Sequence, residues 1–370
     1  MHRTSRRVLL LLVALVALGG LAYKFRNSIT LEGFQWSTVV QSLRDARISL
    51  LLLTVATIYV CFAIRAVRWM RFSRTLGTTH FGNVYSATLM GFTCTFLLGR
   101  AGEPIRPVLI AKKDGLSIPG MFGVYVLERV FDVAATAVIA GSALLLFEQR
   151  AAVTAEDQSI LKLTRSAGSL LLAGLVVAVG FLIYFRYHGA EWLARRLQKP
   201  SWRIGWRGKI ILLLEGFAEG LQGIRTWNDL GALIALSAVH WFLIVMCYWW
   251  VADAFGGKLG ELTIADSALV LAFSMVGSAV QFPGVGGGAQ VATFVVLTLV
   301  FGVDKVPAAT MSIVVWLLTF ASCSVAGLPL LFREGWSMGE LRKMATAAEQ
   351  QAETVADEIA LGTHPAKSGE

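Results

Sequence analysis

Long apolar runs alternate with short charged segments along this chain. A bilayer core of ~30 Å is crossed by ~20 apolar residues in helical form, and several runs approach that length. The first run follows three arginines, so a cleaved leader is the alternative to an uncleaved anchor there. The pattern predicts six full spans, at residues 8–23, 48–64, 120–147, 168–185, 230–252 and 307–332.

Two further apolar regions are interrupted by glycine and proline. The break Gly99–Pro104 follows residues 84–99, and the break Pro283–Gly288 follows residues 264–282. A second, shorter apolar run comes after each break. We predict that each region is a helical hairpin that re-enters the membrane. For the second region, two complete spans over 264–282 and 287–303, joined by a glycine turn, are the alternative.

The distribution of basic residues predicts an orientation. Residues 65–119 and 186–229 each carry eight lysines and arginines, which places both on the cytoplasmic side by the positive-inside rule. Loop 23–47, with four basic and two acidic residues, lies outside by parity and does not follow the rule. Both termini are then cytoplasmic, in a cell (inner) membrane. The predicted fold is an all-α polytopic membrane protein.

This topology divides the chain into a transmembrane domain and a tail. Within domain 1–332, residues 48–147 and 230–332 have the same order of span, hairpin and span in opposite orientations, which predicts an inverted repeat. Tail 333–370 is predicted to be cytoplasmic, partly helical and then disordered.

Composition agrees with a membrane protein. Hydrophobic residues make up 56% and charged residues 15% of the 370 residues, and the mean hydropathy is +0.65. In soluble domains hydrophobic residues make up roughly 45–50% and charged residues about 25%, so a soluble single-core enzyme is excluded. The net charge of +9 lies mainly in predicted cytoplasmic segments, where it meets anionic lipid, and we expect no nucleic-acid partner. The four cysteines lie in apolar runs without a CxxC pair, so we expect no disulfide, metal or cofactor.

Three ionisable residues lie inside the third predicted span. Glu128 and Asp132 share a helix face, and Arg129 is a neighbour of Asp132. Such ions cost ~2.5–3.5 kcal/mol each at the bilayer centre, so they must be paired and turned inward. They either lock helices together or line an intramembrane polar cavity, and the two interpretations are compatible.

Charged residues around the first break are candidate neighbours of this cluster. Arg100 and Arg106 present planar guanidinium groups that suit phosphate oxygens, and Glu103 lies between them as a partner for one. The alternative is that these residues are loop charges at the membrane surface.

The second break precedes an apolar helix. Free backbone N–H groups at a helix N-terminus favour an anion, and Gly284, Gly286, Gly287 and Gly288 would allow it to come close. Gln290 adds an uncharged polar group. A plain helix breaker is the alternative interpretation.

At these residues the chain resembles the transmembrane, flippase-like domain of lysylphosphatidylglycerol synthases and its stand-alone relatives. The matching motifs are Gly102–Arg106, Glu128–Asp132 and the Pro283–Gly288 turn, in that order, within a similarity over roughly residues 8–332. The family often has Glu shortly after the glycine turn, where this chain has Gln290, which lacks the carboxylate that an acid–base role would need.

The resemblance implies a helical membrane protein that moves lipids between leaflets. Only 38 residues follow Phe332, so we expect no soluble aminoacyl-transfer domain and no lysyl transfer. The expected function is translocation, without catalysis, of a phospholipid or polyprenyl-phosphate lipid. Arg100, Arg106 and Arg129 would hold the phosphate, and the neighbouring carboxylates would balance charge. The alternatives are a membrane-embedded enzyme or a scaffold for a partner enzyme acting on lipid-linked substrates. The oligomeric state stays open.

Overall fold

The fold is taken from a computed structural model of the chain. The predicted spans 8–23 and 168–185, and nearly all of the predicted tail, lie outside the part that it describes. The structure describes residues 36–151, 226–278, 281–282, 286–336 and 339–340.

Helices account for almost all of the described residues, which confirms the all-α prediction. The described residues also form two short strands, one 3-10 turn (Gly99–Gly102) and one π-helical segment (Leu317–Ala321). The elements are α1 Trp36–Asp45, α2 Ile48–Phe72, α3 Phe81–Leu98, α4 Ile105–Asp114, α5 Ile118–Ala151, α6 Trp227–Phe255, α7 Gly257–Gly260, α8 Ile264–Gly277, β1 Gln281–Phe282, β2 Gly286–Gly287, α9 Gly288–Leu299, α10 Lys305–Trp316 and α11 Ser322–Arg333.

Five helical segments in the described part are long and apolar enough to cross a membrane. Four of them correspond to predicted spans, and the fifth covers the region predicted as half of a broken hairpin. That helix is longer than expected because it begins at Phe81 and the 3-10 turn extends it. The five are Ile48–Phe72, Phe81–Gly102, Ile118–Leu146, Trp227–Phe255 and Lys305–Arg333.

Helix α2 corrects the predicted end of the span 48–64. The helix continues to Phe72, eight residues past the predicted end of the span at 64. Arg65 and Arg68 are 7% and 0% exposed, and both are paired with carboxylates of α5. Because these ions are neutralised inside the protein, they do not end the helix.

Helices α2 and α6 pack antiparallel and define the two ends of the molecule. The Arg47 N–H donates to the Ala254 carbonyl oxygen over 2.9 Å at one end. Arg74 Nη1 lies 3.2 Å from Asp229 Oδ1 at the other. We call these the Arg47 end and the Arg74 end.

The first hairpin consists of α3 and α4, joined by the 3-10 turn. Asn83 Nδ2 donates to Asp114 Oδ1 over 2.7 Å, and a methyl group at Gly91 would lie 2.6 Å from the Arg106 Cβ. The two helices are therefore antiparallel and closely packed. The hairpin leaves from and returns to the Arg74 end, since α3 begins nine residues after Phe72.

The second hairpin consists of α8 and α9. These helices have 14 and 12 residues, or ~21 and ~18 Å, which is short of a ~30 Å bilayer core. A two-residue antiparallel pair, Gln281 opposite Gly287, joins them at the tip. Neither helix by itself has the length of the five candidate membrane-spanning segments. The open end of the hairpin lies at the Arg47 end, where Lys258 Nζ donates to the Gly302 carbonyl oxygen over 3.0 Å.

Many large apolar side chains cover the outside of the helices. Val133, Val276 and Val325 are 69%, 76% and 76% exposed. In water such a surface would be an association site, but on helices of this length it is the surface expected to face lipid. The inner faces pack Trp69, Met121 and other buried side chains into apolar clusters.

Candidate functional site

The tips of the two hairpins meet inside the molecule. Arg100, in the 3-10 turn of the first hairpin, donates through Nη2 and Nε to the Ser278 carbonyl oxygen over 2.6 and 3.2 Å. Ser278 directly follows α8. The guanidinium thus occupies the C-terminal end of that helix, where the helix dipole favours a cation.

Glu128 lies beside the first tip and contacts three guanidinium groups. Its side chain is fully buried. Oε1 accepts from Arg65 Nη1 over 3.2 Å, and Oε2 accepts from Arg129 Nη2 over 3.1 Å and also from Arg106 Nη2. One carboxylate therefore joins α2, α4 and α5.

Asp132 lies one turn further along α5 and is paired in a similar way. Oδ1 accepts from Arg68 Nη1 over 3.1 Å and from the Trp241 indole N–H over 3.3 Å. Oδ2 lies 2.9 Å from Arg129 Nη2 and 3.5 Å from Arg65 Nη1. The four-residue spacing of Glu128 and Asp132 places both carboxylates on the face that meets α2.

His240 completes the contact of α6 with this cluster. Arg65 Nη2 lies 3.2 Å from His240 Nε2, and a guanidinium can only donate, so this nitrogen accepts and the imidazole is neutral. His240 is 3% exposed. It is the hydrogen-bonded core residue that a histidine within an apolar run most often is.

Aromatic rings pack against the arginines. The Arg106 guanidinium lies 4.4 Å from the centroid of Trp69, and that of Arg129 lies 5.4 Å from Tyr125. Such contacts stabilise partly desolvated cations. The Tyr125 hydroxyl donates to Glu103 Oε2 over 2.5 Å, which links the rim of the cluster to the first hairpin.

A cavity of about 550 Å³ lies between these elements. Both hairpin tips, α2, α5 and α6 contribute to its wall, and Val133 and Val276 line it while remaining largely exposed. The cavity therefore reaches the apolar surface of the molecule beside these two residues. Its charged and imidazole lining residues are Arg65, Arg100, Glu103, Arg106, Arg129, Asp132 and His240.

The structure brings most of the predicted site residues of the first half together. Arg106, Glu128, Arg129 and Asp132 form one ion-pair cluster. Arg100 and Glu103 lie at the first hairpin's tip, 3.4 Å apart, and their side chains are 50% and 20% exposed. The role of these residues in binding stays a prediction.

The described glycines of the second break lie beside this cavity's lining, and their role in binding an anion stays a prediction. Gly286, Gly287, Gly288 and Gln290 do not line the cavity in the described part of the chain, whereas Gln281 and Ala289 do. Gly284 lies outside the described residues. Gln290 Oε1 accepts from the Gly287 N–H over 2.5 Å, so its side chain caps α9 and takes up one of the N–H groups that an anion would use.

The sequence interpretation missed three residues of the cluster: Arg65, Arg68 and Trp241. The three-residue spacing of the two arginines was visible, but a basic run after an apolar one is typical of a cytoplasmic loop. The apolar residues Ala66, Trp69 and others that continue the pattern past Arg65 were the available signal for a longer helix.

Metal binding has no obvious donor set here. Over the described ranges, no three His, Cys, Asp or Glu side chains are grouped as a metal site would require. The charged residues that face the cavity are mainly donors, which bind anions rather than cations.

Comparison with known proteins identifies one family. The sequence model of the family described as "Lysylphosphatidylglycerol synthase TM region" matches residues 7–327. No curated protein and no solved structure matches the chain.

Proposed function

This chain belongs to the lysylphosphatidylglycerol synthase transmembrane family, and we propose that it is a lipid translocator. In this proposal a phosphate-bearing lipid passes between leaflets through the cavity, and no bond of the lipid is broken. The family match supports a membrane protein linked to lipid handling. The activity and the lipid are our proposal.

One observation carries the proposal: a buried, arginine-lined cavity that opens onto the apolar surface. Arg65, Arg106 and Arg129 line it, and guanidinium groups bind phosphate oxygens through paired N–H donors. A phosphate moved into hydrocarbon without such partners would be prohibitively costly. Because the cavity reaches the apolar surface beside Val133 and Val276, the acyl or prenyl chains would stay in lipid while the headgroup enters.

We further propose that the two hairpins are re-entrant and that the described halves form an inverted repeat. α2, the first hairpin and α5 follow in the same order as α6, the second hairpin and α10–α11. The first hairpin opens at the Arg74 end and the second at the Arg47 end. Repeats of this kind, with broken helices at their interface, build the substrate sites of many transporters.

Charge at the two ends supports an orientation. The Arg74 end has more cations than anions and would face the cytoplasm, while the Arg47 end has more anions. At the Arg74 end the basic residues are Arg71, Arg74, Lys112, Lys113 and Arg333, and the acidic residues are Asp114, Asp229, Glu334 and, further along the chain, Glu340. At the Arg47 end the basic residues are Arg44, Arg47, Lys258 and Lys305, and the acidic residues are Asp45, Asp253, Glu261, Asp266 and Asp304.

The proposal is tested by lipid movement in proteoliposomes. We expect purified wild-type protein to move fluorescent phospholipids between leaflets, and Arg129→Gln and Glu128→Gln to reduce the rate to that of empty vesicles. Arg74→Gln, at the exposed Asp229 pair, is the matched control and should keep the wild-type rate.

Three results would contradict the proposal. If both cluster variants move lipid at the wild-type rate, the lipid does not pass through the cavity. Recovery of the lipid with a changed mass would make the protein an enzyme, and movement only in the presence of a stoichiometric partner would make it a scaffold.

A further inference from the structure

The charges around the cavity do not balance, and this bears on which lipid it takes. Resting on the proposed function, we infer that the cavity selects a lipid whose headgroup is a dianionic phosphate, as in a phosphomonoester. Monoanionic phosphodiester, zwitterionic and cationic headgroups are disfavoured. The inference rests on one observation: four arginines from three helices form ion pairs with only two carboxylates.

The inner cluster has a surplus of two positive charges. Within the described residues its anions are Glu128 and Asp132, which gives 4 − 2 = +2. Helices α2, α4 and α5 supply the cations, which are Arg65, Arg68, Arg106 and Arg129.

The residues around the cluster leave this surplus in place. Arg100 and Glu103 form a pair of their own at the first tip and cancel. His240 accepts from Arg65 and is neutral. Tyr125 donates its hydroxyl to Glu103, so it adds no anion to the cluster.

Several donor atoms of the cluster lack a partner. Arg65 Nε, Arg106 Nη1 and Arg129 Nε are buried and make no hydrogen bond to any residue that the structure describes. All three side chains line the cavity, and Arg106 is only 4% exposed. Asp132 Oδ2 is a buried acceptor of the cluster that also lacks a hydrogen bond, but the donors without one outnumber it. Buried donors are normally satisfied, so this excess indicates a missing acceptor.

A dianionic phosphate meets both requirements at once. A phosphomonoester carries a charge of about −1.5 to −2 and three acceptor oxygens, which fits a surplus of +2 and three cavity-lining arginines. A phosphodiester neutralises half of the surplus and offers two free oxygens. An aminoacylated, cationic headgroup would add positive charge to a site that already has too much.

The first test measures the selectivity of the unmodified full-length protein. Proteoliposomes receive fluorescent short-chain phosphatidic acid, phosphatidylglycerol or phosphatidylcholine, above the second phosphate pKa of about 6. We expect phosphatidic acid to move at least about tenfold faster than either of the others. The reason is that one unit of uncompensated charge in a shielded site costs more free energy than a tenfold difference in rate represents.

The second test changes the charge of the cluster without changing the cavity wall. Arg68 is fully buried, pairs with Asp132 and does not line the cavity. Arg68→Gln lowers the surplus to +1, and we expect the ratio of phosphatidic acid to phosphatidylglycerol rates to fall by about tenfold. Arg74→Gln removes the same charge from the surface and should leave the ratio unchanged.

The outcomes separate this inference from the proposed function. Movement of phosphatidylglycerol or phosphatidylcholine at the phosphatidic acid rate would overturn the inference and keep translocation. Movement of none of the three by folded protein would overturn the proposed function. Release of entrapped inorganic phosphate at a similar rate would show a phosphate site that does not require a lipid, and would overturn the lipid class.

Discussion

At the residue scale, the contacts of Glu128 agree with both interpretations of the intramembrane ions, that they hold helices together and that they form a polar cavity. It holds α2 and α4 against α5 through Arg65 and Arg106, which locks the helices. The same arginines line the cavity, so the ion pairs that hold the helices together also form part of the cavity wall. A charge that stabilises the fold and a charge that attracts a ligand need not be different groups.

Replacing this carboxylate tests its structural role. Glu128→Gln leaves Arg65, Arg106 and Arg129 without their shared anion, and removing one partner of a buried ion pair costs about 3–5 kcal/mol. We expect a clear fall in the thermal unfolding midpoint of the detergent-purified protein. Arg74→Gln, at a surface pair worth about 0–1 kcal/mol, is the control. Equal midpoints for the two variants would contradict a structural role for Glu128.

The sequence was sufficient to find the acidic half of the cluster and two of its arginines. Glu128 and Asp132 stand out because a carboxylate inside an apolar run has few explanations. Arg65 and Arg68 do not stand out, because an arginine near the end of a span can extend to the interface or turn inward. Only the packing of α2 against α5 and α6 distinguishes these cases.

At the element scale, both hairpins depend on glycines where two backbones touch. A methyl group at Gly102 would lie 2.3 Å from the Cys94 carbonyl carbon, and one at Gly277 would lie 2.2 Å from the Gly288 carbonyl oxygen. The neighbours are backbone atoms, which cannot rotate away. Each tip is therefore closed by a contact that only glycine permits.

Alanine at these positions should separate the hairpin helices. We expect Gly102→Ala and Gly277→Ala each to lower stability by about 1–3 kcal/mol, the range for overpacking, measured as a lower thermal unfolding midpoint. Gly82→Ala and Gly231→Ala are matched controls, because they are helical glycines with open space around them. Alanine favours helix by up to about 1 kcal/mol there, so a midpoint lowered equally in all four would contradict tip packing.

The sequence located both breaks but could not give their detail. Glycine and proline mark where helices stop, yet the 3-10 turn that extends α3 to Gly102 depends on contacts with residues 94 and 95. The Gln290 cap likewise depends on the angle at which the chain enters α9. Local composition does not encode either arrangement, because both arise from how the two helices of a hairpin pack.

At the scale of the whole molecule, the arrangement depends on which end each hairpin opens toward. Contacts within the protein place the open ends of the two hairpins at opposite ends of the molecule, and the tips meet at Arg100 and Ser278. The sequence predicted this opposition from parity and loop charge. It could not show that the tips touch, since that contact joins residues 178 positions apart.

Labelling from the two sides of the membrane tests the opposition directly. His80→Cys and Ser117→Cys flank the first hairpin, and Glu261→Cys and Asp304→Cys flank the second, all at exposed positions. We expect the first two to react with an impermeant maleimide from the cytoplasmic side only and the last two from the outside only. The native cysteines are buried, so unmodified protein is the blank. Reaction of His80→Cys and Ser117→Cys from opposite sides would mean that α3 and α4 together cross the membrane. The cavity could not then lie between hairpins that enter from opposite faces.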